Sequence, residues 1–521
     1  MRASFVALAL LTACAGAAPV PVVPQAPPPE PVTWQGTITY EARRPTPRGA
    51  SQARTRHPAR FVRVQMKDAT GAVLGETFAD ELGRFALEAD RNAAHALVVV
   101  ASLDRDGHVL DVARDGGGTR PHEIAVPVPD PNAPIELNVT DEHVGAGALH
   151  ILDMLLLGVQ RVKEWTGETL PPFFSYWDRG VTTNWSFYFG ARGELRGRTR
   201  YGIELLGGEP NRQTTTDTDE HDAMIVLHEL GHFVMDVLSS DSSHGGSHPR
   251  GALIDPGLAW EEGRATWFAT MVLRSPHYQD TIGIEPMGSL RVDHDLERGD
   301  RNDVRGMGSE SSVGEVLWDL ADGADGIPDA DQDPVALGPA AVLRAMMELG
   351  RQPGSFPALP TFLRHLVKRE LVPTSAMTEL LARGGHAPTL LPENDRSPWP
   401  IDVRLPGSAS AKIDGVTDPA PSGGPNRPAN GIDAVHTYRV EITEPGWLAA
   451  TLTIFGTGRA SDRSDLDLEL RDIRSELLDR SAGEQPVESV AHAVEPGFYV
   501  IYVRDGGNGN RAGYELKVER R

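Results

Sequence analysis

His228-Glu229-Leu230-Gly231-His232 lies within Asp222–Asp236, a run whose flanks are apolar and free of proline. On a helix turning about 100° per residue, the two histidines stand about 40° apart, one turn from each other on a shared face. Imidazoles so placed can reach a single zinc ion with bonds of about 2.0–2.1 Å. Glu229 is one step further round, so it need not ligate and can instead hold the attacking water as a general base. Gly231 removes a side chain where another element can approach closely. The competing reading is a pair of satisfied core histidines, but a buried helix gives no cheap reason for two histidines and a glutamate at this spacing.

A catalytic zinc usually has three protein ligands. Met235 and Leu238 stand where an H-x-x-G-x-x-H continuation would need Gly and His, which excludes the metzincin pattern. Downstream, Leu258-Ala259-Trp260-Glu261-Glu262-Gly263-Arg264-Ala265-Thr266-Trp267-Phe268-Ala269 is compatible with a helix. It resembles the third-ligand helix of gluzincins, matched on Glu262-Gly263-Arg264-Ala265. The resemblance implies that Glu262 is the third ligand, with Glu261 as the alternative. Gly263 and Ala265 would then let this helix pack closely on the first. The 29 residues between His232 and Glu262 exceed the spacing of the aminopeptidases. The insert from Ser239 to His248 is polar and Gly-rich, so it reads as a flexible surface loop, although it brings His244 and His248 near the cleft. The family also implies a His or Tyr donor for the tetrahedral oxyanion after the third ligand. His277, Tyr278 and His294 are all candidates. Tyr201–Leu205 is the expected edge strand for an extended peptide.

These residues need elements to position them. Leu149, Leu152, Leu155, Leu156, Val159 and Val162 recur at helical spacing over residues 144–165. Aromatic runs at 173–177, 185–189 and 201–206 read as strands, and helical patterns dominate from there to about residue 385. Val313, Val316, Leu317 and Leu320 mark a core helix, from which Glu310 or Glu315 could face the site. Residues 322–333 hold five aspartates that could gather oxygen ligands for calcium. Their spacing does not match an EF-hand, and a solvated acidic loop is the simpler reading.

Residues 33–140 alternate apolar and polar positions in short runs, which predicts a β-sandwich. Asp80-Glu81-Leu82-Gly83-Arg84-Phe85 there resembles the hairpin turn of transthyretin-like or carboxypeptidase-regulatory-like domains. Asp80 would cap the turn and Gly83 would take positive φ. Residues 387–400 form a Pro-rich linker. The strand pattern then returns over 401–521. Its D-L-D-L-x-L run at Asp465–Leu470, the Pro-Gly-Phe-Tyr-Val run at 496–500 and the terminal Tyr514-Glu515-Leu516 resemble a bacterial pre-peptidase C-terminal domain. Asp465 and Asp467 are expected on the solvent face of that strand, with the leucines inward.

At the N-terminus, Arg2 precedes a short apolar run ending in Leu11-Thr12-Ala13-Cys14. The run is too short to cross a bilayer and fits a secretion signal. The tetrapeptide resembles a lipobox, with the chain's only cysteine at the position that is lipidated. Residues 15–32 contain seven prolines and suit an extended tether. The formal charge of −23 argues against a nucleic-acid partner, which requires a basic face.

The combined reading is a multidomain chain: a β-sandwich, then an α+β zincin-like metallopeptidase unit over 141–386, then a second β-sandwich. It is expected to be exported and lipid-anchored, at the outer membrane or cell surface if the cell is Gram-negative. It would cut protein or peptide substrates with Zn2+, and Ca2+ is a second candidate ion. The rival readings are a surface-binding lipoprotein with an inert centre and a zinc hydrolase of non-peptide amides.

Overall fold

The computed structural model describes residues 30–521 except 196–197, 242, 247, 249–250, 301–303, 392–398, 404, 406–410, 418–434, 457–464 and 506–511. Cys14 and its signal segment lie outside the described residues.

The alternating N-terminal segment folds as two facing sheets. In one, Pro31–Ala42 is central, pairing in parallel with Ile135–Val139 and antiparallel with Thr55–Pro58 and Arg84–Asp90. The other runs in the order Glu123–Pro127, Ala96–Val100, Arg63–Lys67, Val73–Phe78, all antiparallel. Trp34, Ile38, Tyr40, Val64, Leu87 and Val99 fill the space between them. The Asp80 turn forms as its sequence suggests. Its Oδ1 accepts from the amides of Leu82 (2.8 Å) and Arg84 (2.9 Å), and Gly83 has φ +75°.

Two strands of this same segment leave the sandwich. Ser102–Arg105 and His108–Ala113 join a five-stranded central sheet in the order Phe187–Leu195, Arg198–Glu204, Phe173–Tyr176, His108–Ala113, Ser102–Arg105. Helix α1 (Val144–Thr166) packs between this sheet, the N-terminal sandwich and α2 (Ala223–Leu238), while α3 (Pro256–Leu273) lies between α2 and α4 (Glu310–Ala321). Helices α5 (Pro339–Gly350), α6 (Leu359–Lys368) and α7 (Thr374–Arg383) complete the body. One apolar core runs unbroken from Trp34 to Leu390.

The C-terminal segment is a separate sandwich. Its five-stranded sheet runs Ile401–Val403, Val435–Ile442, Gly497–Asp505, Leu466–Asp472, Leu477–Ser481, and its four-stranded sheet runs Ala411–Thr417, Ala512–Arg520, Gly446–Gly456, Val487–Val494. Leu448, Leu468, Leu470, Ile501 and Leu516 form its own core. The expected solvent face of the Leu466–Asp472 strand is a correction, because both faces are buried. Asp467 pairs with Arg480 at 2.7 Å, and Glu469 is enclosed by Arg471, Arg480 and Arg504. Arg471 of the same strand and Arg480 and Arg504 of its two neighbours neutralise these acids. Among the described residues, no helix is long and apolar enough to cross a membrane.

Candidate metal centre

Helix α2 is buried along most of its length, so the polar groups it carries need partners inside the protein. His228 Nε2 and His232 Nε2 are 3.1 Å apart. Glu262 Oε2, reaching across from α3, stands 3.2 Å from the first and 3.3 Å from the second. The three atoms form a nearly equilateral triangle. The edges of a tetrahedron around zinc with bonds of about 2.0–2.1 Å are about 3.3–3.4 Å. The donor set therefore fits a tetrahedral ion, with one position left open to the cavity. His228 Nδ1 lies 3.2 Å from Thr266 Oγ1. When Nδ1–H donates there, the Nε2 lone pair turns toward the triangle, as metal-binding histidines require.

Close helix packing makes this meeting possible. A Cβ added to Gly231 would stand 3.0 Å from Ala265 Cα, so this glycine lets α2 and α3 touch backbone to backbone. Gly263 does not serve that contact. Its added Cβ would fall 2.4 Å from Val313 Cβ, so it brings α4, not α2, against α3. Glu261 turns away from the triangle onto the fully buried Arg264, whose Nη2 also donates to Ser240 O at 2.6 Å. That engagement leaves its neighbour Glu262 as the carboxylate of the triangle.

Burial pushes the Glu262 carboxyl up, but the charges of His248 and His232 and the hydrogen bonds of His228 and His232 outweigh it and hold it well below the usual carboxylate range. Burial also raises Glu229, with the two imidazoles opposing. For His232, burial disfavours the charged ring, yet the Glu262 carboxylate carries it up to about 9. Three lone-pair atoms this close need positive charge among them, and protons and a cation compete for the same lone pairs.

The triangle opens into a cavity of about 820 Å³. Tyr278 and His294 are cross-strand partners in the hairpin of His277–Ile282 and Ser289–Asp295, and both line the cavity. The Tyr278 ring is 5.6 Å from that of His228. Burial and the surrounding acids Asp280, Glu310, Glu229 and Glu262 keep its phenol protonated. His277 is exposed on the same hairpin and does not line the cavity. Glu310 faces the cavity, whereas Glu315 is held by Arg305 at 2.7 Å.

Two further sequence expectations change. The described part of the Ser239–His248 insert is half-buried as far as Gly245, while Gly246 and His248 are exposed. The His244 ring lies 5.0 Å from that of Tyr502. His248 reaches Glu310 Oε2 with Nδ1 at 3.2 Å and lies 3.6 Å from Glu262 Oε1 through Nε2. The only sequence signal for the place of His248 was its position after α2. The expected edge strand is also displaced. Arg198–Glu204 is interior, between Phe173–Tyr176 and Phe187–Leu195. The edge beside the cavity is Phe187–Leu195, whose Phe187 and Tyr188 line it next to the exposed Trp185. Asp219, Asp280 and Arg291 form another wall that the sequence did not announce.

No family model matches the chain. No curated protein matches it. Among solved structures, it is similar to the pre-peptidase C-terminal domain of collagenase from Bacillus anthracis, at 16% identity over 24% of this chain and 100% of that one, with a TM-score of 0.18. It is also similar to the Aeromonas hydrophila periplasmic inhibitor of g-type lysozyme, PliG, at 14% identity over 23% of this chain and 96% of that one, with a TM-score of 0.16.

Proposed function

We propose that the chain is a zinc-dependent peptidase of gluzincin type, with a zincin-like catalytic unit between the two sandwiches. The observation that carries this reading is the triangle of His228 Nε2, His232 Nε2 and Glu262 Oε2, with edges of 3.1–3.3 Å and Glu229 one residue from its first corner. A zinc ion held by these three residues would supply Lewis acidity, acidifying water and polarising a carbonyl.

The chain's own residues do the rest. Glu229 takes a proton from the attacking water and returns it to the leaving amine, so that one water is consumed per bond cut. The protonated phenol of Tyr278 can donate a hydrogen bond to the oxygen on which negative charge develops. The His294 ring lies across the strand pair from it and is the second candidate for that role. An extended peptide can add to the free edge of Phe187–Leu195 through main-chain hydrogen bonds. Trp185, Phe187 and Tyr188 would take its side chains and exclude water.

Bound zinc and cleavage of a peptide library, measured for the wild type and Glu229→Gln, test the proposal. The variant should keep its zinc and lose about 10²–10⁴-fold in turnover. A wild type without zinc, or a variant that cuts as fast, refutes the reading. Zinc without cleavage would favour the inert surface-binding protein or a non-peptide amide as substrate. We further propose export and a lipid anchor on Cys14. Palmitate labelling that disappears in Cys14→Ser is the expected result, and an unlabelled wild type rules the anchor out.

A further inference from the structure

Behind the cavity, the loop after α4 returns against the end of the 289–295 strand. Oxygens of Glu297, Asp322 and Asp329 lie within 4.8 Å of one another there. Two of the three carboxylates are tied to the loop. Glu297 Oε1 accepts from the amides of Ala330 (2.5 Å) and Asp331 (3.0 Å), and its Oε2 accepts from Trp318 Nε1 (2.8 Å). Asp329 Oδ1 accepts from the amides of Gln332 and Asp333. Asp322 differs. It caps the C-terminal end of α4, its exposure is 0%, and neither of its oxygens has a hydrogen-bond donor among the described residues. Asp333 close by also has both oxygens buried without a donor.

A buried carboxylate without a donor is costly, and proteins keep such groups by pairing them or by binding a metal. The pairing route is weak here. Arg383, the guanidinium that acts on this loop, donates to Gln332 O and is paired with Glu379. Burial, the Glu297 charge and a hydrogen bond shared with Glu297 push Asp322 up to about 9, and burial and then Asp331 push Asp333 up to about 7. Without a cation, only protons held between these carboxyls offset their mutual repulsion.

We infer that Glu297, Asp322 and Asp329, with Asp333 beside them, form a binding site for a hard divalent cation with the ligand preference of Ca2+. Every donor is an oxygen, which excludes the soft and imidazole-seeking metals. Two oxygens on opposite sides of a cation with bonds of 2.3–2.6 Å stand about 4.6–5.2 Å apart, and the cluster is no wider than that. The chain holding the oxygens is long and looped, as Ca2+ sites of six to eight ligands favour. Bound there, the cation would fasten the 322–333 loop to the root of the hairpin that carries Tyr278 and His294 and to the end of α4, bracing the rear wall of the cavity. It is independent of the zinc site.

Terbium can be used as the probe, because the Trp318 indole donates directly to Glu297 and so stands ready to sensitise it. The zinc-loaded full chain should give Tb3+ emission on excitation of tryptophan, and Ca2+ should displace it. Ca2+ at a hundredfold excess over its Kd should raise Tm by about 3–4 °C. Asp322→Asn, and the double variant with Asp329→Asn, relieve repulsion and should fold without cation, but should lose both responses. His228→Ala should retain both, which separates this site from the zinc centre. A wild type that neither sensitises Tb3+ nor responds to millimolar Ca2+ overturns the inference. So does retention of both responses in the double variant.

Discussion

The two sandwiches are built from similar alternating strands but are joined to the helical body in opposite ways. The N-terminal one shares its interior with the body. Its apolar core continues into α1 and α2, and Ser102–Ala113 leaves it to pair with Phe173–Tyr176 in the central sheet. The C-terminal one closes a core of its own and meets the body through one face. There Val435, Val500 and Tyr502 cover Phe356, Ala358 and Trp399, and Thr437 Oγ1 donates to Asp255 Oδ2 at 3.0 Å. Similar strand patterns therefore make an integral part of the helical body at one end and an appended module at the other. What decides between them is whether strands and core cross the border.

The largest effects should come from removing each sandwich. Deleting residues 31–139 takes away two strands of the central sheet and uncovers α1, so the remainder should fail to give a soluble protein with cooperative near-ultraviolet circular dichroism. Ending the chain at residue 400 should leave a folded, zinc-binding body with a lower Tm. If the two truncations behave alike, the contrast is wrong. A point change at the first border comes next. Asp153 on α1 accepts from Tyr40 at 2.9 Å and pairs with Arg60 at 2.5 Å, all from the N-terminal sandwich. Asp153→Ala strands a half-buried guanidinium and a buried phenol and should cost about 3–5 kcal/mol, read from urea unfolding.

The same contrast explains what could be read from the sequence. The cluster of His228, His232 and Glu262 was legible because its signals are local: two histidines one turn apart, and Glu262 beside the small residues of a second helix. The turn at Asp80 was legible for the same reason. Sheet order was not, because Phe187–Leu195 and Arg198–Glu204 carry the same kind of pattern, and only pairing with Phe173–Tyr176 makes one of them interior. Gly263 announces a close approach but not its partner, which is α4. Asp467 and Glu469 look solvated in an alternating strand, and only the arginines of neighbouring strands show that they are buried. His248 could not be weighed because its place is set by Glu310 and Glu262, which come from two other helices. Its loop is propped by Tyr502, some 250 residues away in sequence.

The finest test of the second border is a titration. Asp255 caps α3, the helix that carries Glu262, by accepting from the amides of Gly257 (2.9 Å) and Leu258 (3.2 Å). It is wholly buried, and burial pushes its carboxyl up to about 6 despite the hydrogen bonds that oppose this. In the unfolded chain an aspartate titrates near its ordinary value of about 3.9. The folded state therefore binds the proton more tightly. The associated stability is fully present below the unfolded value and is lost as pH rises through about 6, amounting to at most about 3 kcal/mol. Asp255→Asn keeps an acceptor for the cap but cannot ionise. Relative to the wild type, it should gain stability between pH 4.5 and 7.5. Its gain should shrink in the chain ended at residue 400, because the sandwich that buries Asp255 is then missing and its carboxyl returns toward the ordinary range. Equal gains in the long and short chains would mean that the body alone buries this cap, and that the C-terminal module leaves α3 untouched.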